Sequence, residues 1–260
     1  MTDLQFSPFQ ERCLKLVEES ETTCRGRHSL RSAVNHLKRG WNIREKDPEM
    51  AVFRAITAEE EAAAGLFHAL KYRKYDNAHL INPKNHVHKS AVAPFMQILL
   101  FFFGEFSETS RVLPKFHIKE ENGDTRLRVV LPLVINGQDM WAYPIPPLNF
   151  DVSSDGKKLS FRPQIEKLLT DQNASDILKY VREQANQRNK ILYAGPDGYP
   201  VIEDLKGSFF ELRLVRVMVM VKAFLFIEPW EERQPFVQQS LDAFLVMLKR
   251  VENKMLHAEM

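Results

Sequence analysis

The stretch between Asp47-Pro48 and Asn82-Pro83 limits the fold more than any other part of the chain. Asp47 can cap a helix, and Pro48 suits its first turn. Phe53, Ile56, Glu60, Ala63, Phe67 and Leu70 then recur at intervals of three and four, as one continuous stripe. Ala51, Ala55, Ala58, Ala62 and Ala69 form a second stripe of small side chains, along which a neighbouring helix can come close. A helix that is apolar on two faces must be covered on both, so the spacing predicts the central helix of a bundle. Glu60 falls inside the apolar stripe, with Glu59 and Glu61 nearer its edges.

Helical periodicity surrounds this element. Residues 7–25 place Phe9, Cys13, Leu16 and Val17 on one face, residues 29–41 place Leu30, Ala33, Val34 and Leu37, and another helix is expected over 85–106. From Pro114 the pattern alternates, with turn signals at Asn122-Gly123-Asp124, Asn136-Gly137 and Asp155-Gly156. Asn-Gly between two β-rich runs is a strong hairpin signal. Four or five antiparallel strands are therefore expected between Lys115 and Arg162, with Pro132, Pro144, Pro146 and Pro147 at edges, bulges or strand ends. Helices return over 163–169, 175–193, 205–227 and 233–257, with a loop at 195–198. The run over 205–227 also suits a strand by its β-branched content, and its length decides for helix.

The predicted fold class is α+β, a mainly α-helical bundle with an inserted antiparallel β-meander. Residues 1–112 form the N-terminal helical part, 113–162 the insert, and 163–260 the C-terminal helices, which pack with the N-terminal part as one unit.

With 36 basic and 34 acidic residues, no global field points to nucleic acid, although a local patch is not excluded. Cys13 and Cys24 show neither metal-type spacing nor a disulfide framework, which fits a reducing compartment. The N-terminus carries charge and proline where a signal peptide needs an apolar run, so a cytoplasmic location is expected. Of two greasy runs, 93–106 is too short to span a membrane and 209–227 is broken by Glu211, Arg213, Arg216 and Lys222, so no membrane partner is predicted.

A carboxylate in an apolar stripe must be paired, hydrogen-bonded or protonated. Glu60 is therefore a candidate ligand or acid/base, or else a structural pair with Arg54, Lys38 or Arg188. After the helix, a polar elbow delivers His79, His86, His88 and Lys89. His86 and His88 with Glu60 or Glu61 would suit a divalent metal, but Glu-x-x-His and His-Glu-x-x-His are both missing, so no metal and no cofactor is assigned. Phosphate-binding Gly-rich loops, the Gly-x-Ser-x-Gly elbow and Cys-x-x-Cys are missing too. In the insert, Arg126 and Arg128 share one face of a strand, and Trp141 and Tyr143 one face of the next. Such groups can stack bases and contact phosphates, or be core aromatics beside solvated arginines.

Arg73 and His79 form an Arg-x5-His pair that resembles the Arg-x(4–6)-His signature of HEPN ribonucleases, and Arg31–His36 and Arg111–His117 fit it as well. Ala51, Ala55, Ile56 and Ala58-Glu59-Glu60-Glu61, followed by His88-Lys89, are similar to the Ala-x-x-x-Ala-Ile-x-x-x-Glu-Glu helix and His-Lys pair of HEPN-like abortive-infection proteins. The resemblance covers about residues 35–92, lacks the lysine usual after the acidic pair, and has no counterpart for the insert. It implies a homodimer acting on RNA in a defence or toxin role without metal. Arg73 and His79 would then be catalytic, and Glu60, His86, His88 and Lys89 would complete or orient the site. One alternative is a non-enzymatic module that binds a protein partner, with the glutamates and histidines structural; a third reading is a metal-dependent enzyme using Glu60 or Glu61 with His86 or His88.

Overall fold

The computed structural model describes residues 3–20, 24–110, 112–121, 123–149, 153–154, 157–158, 160–171, 174–193, 198 and 201–258. Five α-helices come first: α1 (Pro8–Glu19), α2 (Cys24–Ile43), α3 (Pro48–Tyr72), α4 (His86–Ser90) and α5 (Val92–Ser110), with a 3-10 turn at Ala78–Leu80 between α3 and α4. Strands β1 (Lys115–Glu121), β2 (Asp124–Ile135), β3 (Gln138–Ala142), β4 (Ser153–Ser154) and β5 (Lys157–Lys158) follow. Helices α6 (Arg162–Asp171), α7 (Ala174–Leu192), α8 (Gly207–Ile227) and α9 (Pro235–Ala258) close the chain. This is a mainly helical α+β fold.

Local chemistry sets several helix starts. Ser7 and Gln10 form a capping box on α1, with the Gln10 side chain accepting from the Ser7 N–H at 2.8 Å. Asp47 caps α3 by accepting from the Met50 N–H at 3.0 Å, and Pro48 occupies its first turn. The first two helices differ from the sequence expectation in their bounds: α1 stops at Glu19, and α2 begins at Cys24 rather than Ser29.

Helix α3 is the centre of the bundle, packed by α2, α4, α7 and α8. The five alanines of its second stripe are fully buried. Gly65 continues the close approach to α2. A Cβ there would lie 2.9 Å from Leu30 side-chain atoms and 3.1 Å from the Gly26 carbonyl oxygen.

In the insert, β2 is the middle of a three-stranded antiparallel sheet of order β1-β2-β3, and β4 and β5 form a separate two-residue ladder. Asn136 and Gly137, both with positive φ (53° and 74°), make the tight β2–β3 turn that the sequence predicts. Pro132 lies within β2, not at its end. The first half of β2 pairs with β1 through Val130, and its second half pairs with β3 from Leu131. Among the described residues each half thus has a neighbour on one side only, and Pro132 sits at a local edge. The expected turns at Asn122 and Asp155-Gly156, and the loop at 195–197, lie outside the described residues.

Among the described residues one stretch, His86–Glu105, is long and apolar enough to cross a membrane, which the shorter run read from the sequence is not. Of that stretch, 56% is buried inside the fold, as in a core helix.

Candidate functional site

The three glutamates of α3 are successive residues, each turned about 100° from the last, so they face different neighbours. Glu60 is only 3% exposed. It receives Lys89 Nζ at 3.0 Å and His86 Nδ1 at 2.9 Å from α4, and Arg188 Nη1 of α7 lies 3.8 Å away. Asn85 caps α4 by accepting from the Val87 N–H at 2.8 Å, which aims that short helix at Glu60. Arg188 Nη1 also stands 2.9 and 2.8 Å from the two ring nitrogens of His86. A guanidinium only donates, so the partner pattern assigns the imidazole proton to Nδ1, facing Glu60, and leaves Nε2 to accept.

Glu59 is buried too, although periodicity points to Glu60 alone. The reason is tertiary. Helix α8 carries Arg213 and Arg216 one turn apart, and their Nη1 atoms reach Glu59 at 2.8 and 3.4 Å. Tyr180 of α7 donates to Glu59 at 3.4 Å and accepts from Arg216 at 2.6 Å. Burial, and then the Glu59 charge, push the Tyr180 hydroxyl up to about 12. Glu61 faces α2, where Ser32 hydrogen-bonds it, and burial raises its pKa above the usual carboxylate range. Of the partners weighed from sequence for Glu60, Arg188 is the one that approaches it; Lys89 and His86 are the nearer groups.

The remaining candidates are placed elsewhere. The His88 Nδ1 accepts from the Asn82 N–H at 3.1 Å, and its Nε2 meets Glu252 of α9 at 2.9 Å, so His88 ties the elbow to α9 rather than to Glu60. Arg73 caps the far end of α3, about 20 Å along the helix axis from Glu60 at 1.5 Å per residue. Its Nε donates to the Glu228 carbonyl at 2.6 Å. His79 is exposed on the 3-10 turn. Hence Glu60, His86 and Lys89 come together, while Arg73, His79 and His88 do not join them. Of the two other Arg-x-His pairs, Arg31 is paired with Glu18, and Arg111 lies outside the described residues. Among the described residues no group of three or more His, Cys, Asp or Glu could hold a metal ion. The Lys89 and Arg188 cations at Glu60 would also repel one.

The cluster is closed: its carboxylates are answered by protein cations, and its imidazole is engaged at both nitrogens. The sheet presents a more open surface. Its register places Lys115, His117 and Lys119 of β1 on the same face as Arg126 and Arg128 of β2 and Trp141 of β3. Tyr143, two residues after Trp141, continues that face. Neither outcome expected of a structural role is found here. Trp141 and Tyr143 are 49% and 38% exposed, and the arginines are half-buried against Trp230, each guanidinium 4.7 Å from its ring centroid. Lys115 stands 5.3 Å over Trp141, and Lys119 4.8 Å over Tyr143. Three carboxylates share this face near its turns: Glu121 ion-pairs with Arg128 at 3.5 Å and Lys119 at 3.7 Å, Asp124 pairs with Arg126, and Asp139 lies by the β2–β3 turn, while Lys115 stands outside these pairs. Arg126 donates to the Pro229 carbonyl at 3.0 Å, next along the chain from the Glu228 carbonyl that holds Arg73. The Arg73 end of α3 therefore borders this face.

No family model matches the chain, and neither does a curated protein or a solved structure.

Proposed function

We propose that this protein binds single-stranded RNA across the basic, aromatic face of its sheet. The observation that carries the reading is the pair of exposed rings, Trp141 and Tyr143, each accompanied by a lysine. Aromatic side chains in a basic groove are a sequence-tolerant platform for unpaired bases, and the amines reach the phosphates between them. In solution, Trp141→Ala and Tyr143→Ala should each weaken binding of a fluorescent oligouridylate by about 5- to 150-fold, for stacking worth about 1–3 kcal/mol per base. With three to five phosphates contacted, log K should fall against log salt with a slope of about −2 to −3.5. Fluorescence anisotropy reads both. Undiminished binding by the double variant removes the platform. If the wild type binds no RNA but forms a stable protein complex through this face, the interaction-module reading takes its place.

A second reading, metal-independent RNA cleavage, is favoured by the position of Arg73 at the border of the same face, with His79 exposed on the 3-10 turn that follows α3. Such chemistry needs an acid/base for the 2′-hydroxyl and a cation for the phosphorane, the roles of an imidazole and a guanidinium. It predicts cleavage in the presence of chelator that His79→Ala abolishes at unchanged thermal stability. Cleavage that survives in that variant excludes the assignment.

A further inference from the structure

The other face of the sheet covers a cleft. Phe116 of β1 and Val129 of β2 close it on one side, with α3, α5, α8 and α9 forming the rest of its wall. Its volume, about 420 Å³, falls within the range of small-molecule sites. Phe67, Phe95, Phe226, Phe236 and Phe244 line its buried part, while Leu100, Leu113 and Phe116 are exposed, so the cleft opens at their end.

Among the charged side chains of the described residues, only Lys222 lines this apolar space; Ser107 and Ser240 add hydroxyls. The Lys222 amine stands 5.6 Å over the Phe116 ring, and no ion pair holds it among the described residues. Ser240 is more than nine-tenths buried, and its hydroxyl finds no hydrogen-bond partner among the described residues. A buried polar atom without a partner is uncommon in a folded protein and invites one from a ligand. Lys222 lies five residues before the end of α8 and Ser240 five after the start of α9, so both stand about 7.5 Å along their helices from the intervening connection. They face the cleft from two different walls.

We propose that this cleft binds a long-chain carboxylate, with the head group on Lys222 and Ser240 and the alkyl chain along the phenylalanine wall. The walls offer a sugar or base almost no hydrogen bonds, which rules for an aliphatic body. The single amine selects a monoanionic head, and the hydroxyl supplies a second donor to the same carboxylate. Burial lowers the Lys222 pKa, and a carboxylate beside it would offset that desolvation. The site is independent of the RNA-binding face, being on the opposite side of the sheet.

Calorimetric titration of the whole chain with decanoate, dodecanoate and tetradecanoate, each against the matching alcohol, tests the assignment. Affinity should rise about fourfold per added methylene, as expected for burial of one CH₂. Lys222→Met and Ser240→Ala should each weaken the acids about tenfold and leave the alcohols unchanged. Ala223→Trp, which fills the cleft, should abolish both, with melting curves establishing that each variant is folded. Absence of saturable binding by the wild type overturns the proposal. So does an alcohol that binds as tightly as its acid, or binding that survives in Ala223→Trp.

Discussion

Replacing Glu60 by Gln leaves the geometry of the α3 cluster nearly intact and removes its charge. Lys89, itself 8% exposed, then keeps an ammonium that lies 3.0 Å from a neutral amide. At an effective dielectric constant of about 20, the lost attraction at that distance is about 5.5 kcal/mol before the desolvation of either group is counted. Measured losses on breaking one side of a buried pair are about 3–5 kcal/mol, because the surviving charge stays buried. For a chain of this length that corresponds to a fall in Tm of roughly 6–20 °C, readable by calorimetry or far-ultraviolet circular dichroism. Lys89→Met should cost about as much, since it strands Glu60. The double change Glu60→Leu with Lys89→Met should cost less than either single variant, because two apolar residues of similar volume replace a desolvated pair. Single losses under about 1 kcal/mol would mean that Glu60 is hydrated, and additive losses would mean that the two residues do not act as a pair. His86→Ala is the internal control. Its side chain is 47% exposed, so removing it should cost about 1 kcal/mol or less.

Further expectations concern packing, pH and thiol chemistry. Gly65→Ala would gain about 1 kcal/mol in an exposed helix, but here the new methyl meets Leu30 and the Gly26 carbonyl, so denaturant melts should show a net loss of about 1–3 kcal/mol. His36 and His68 have pKa values lowered by burial and by neighbouring cations (Arg54 and Arg39 for His36, Arg25 and Lys71 for His68), so the unfolded chain binds more protons than the native one below about pH 6.5. Stability should therefore decline as the pH falls from there, and His68→Gln should flatten the decline in pH-resolved melts. Glu61 has the opposite sign: its raised pKa makes the ionised carboxylate a cost that grows as pH rises above 4.5. Glu61→Gln should accordingly be more stable than the wild type at neutral pH and indistinguishable from it near pH 3. The Cys13 thiol is buried and pushed up to about 11, so iodoacetamide should label it only after unfolding, as peptide mass mapping would reveal.

What the sequence determines here is local and periodic. The two stripes of α3 place it at the centre, because a helix apolar on two sides has nowhere else to go. Asp47-Pro48 sets its start and Asn136-Gly137 sets a hairpin, since both depend on backbone chemistry within a few residues. The alternating run from Lys115 onwards is a sheet for the same reason. Partner identity is another matter. That Glu59 is as deeply engaged as Glu60 follows from Arg213 and Arg216, more than 150 residues along the chain; two arginines one turn apart in an apolar helix were the available signal. The elbow histidines look alike in sequence, yet His86 turns to Glu60 and His88 to Glu252, because residues two apart on a helix point to different neighbours. The outward turn of Trp141 and Tyr143, the placement of Arg73 beside their sheet and the cleft around Lys222 depend on how the insert docks onto α8. Only the assembled helices decide that, because no periodicity within one segment records which face of another will cover it.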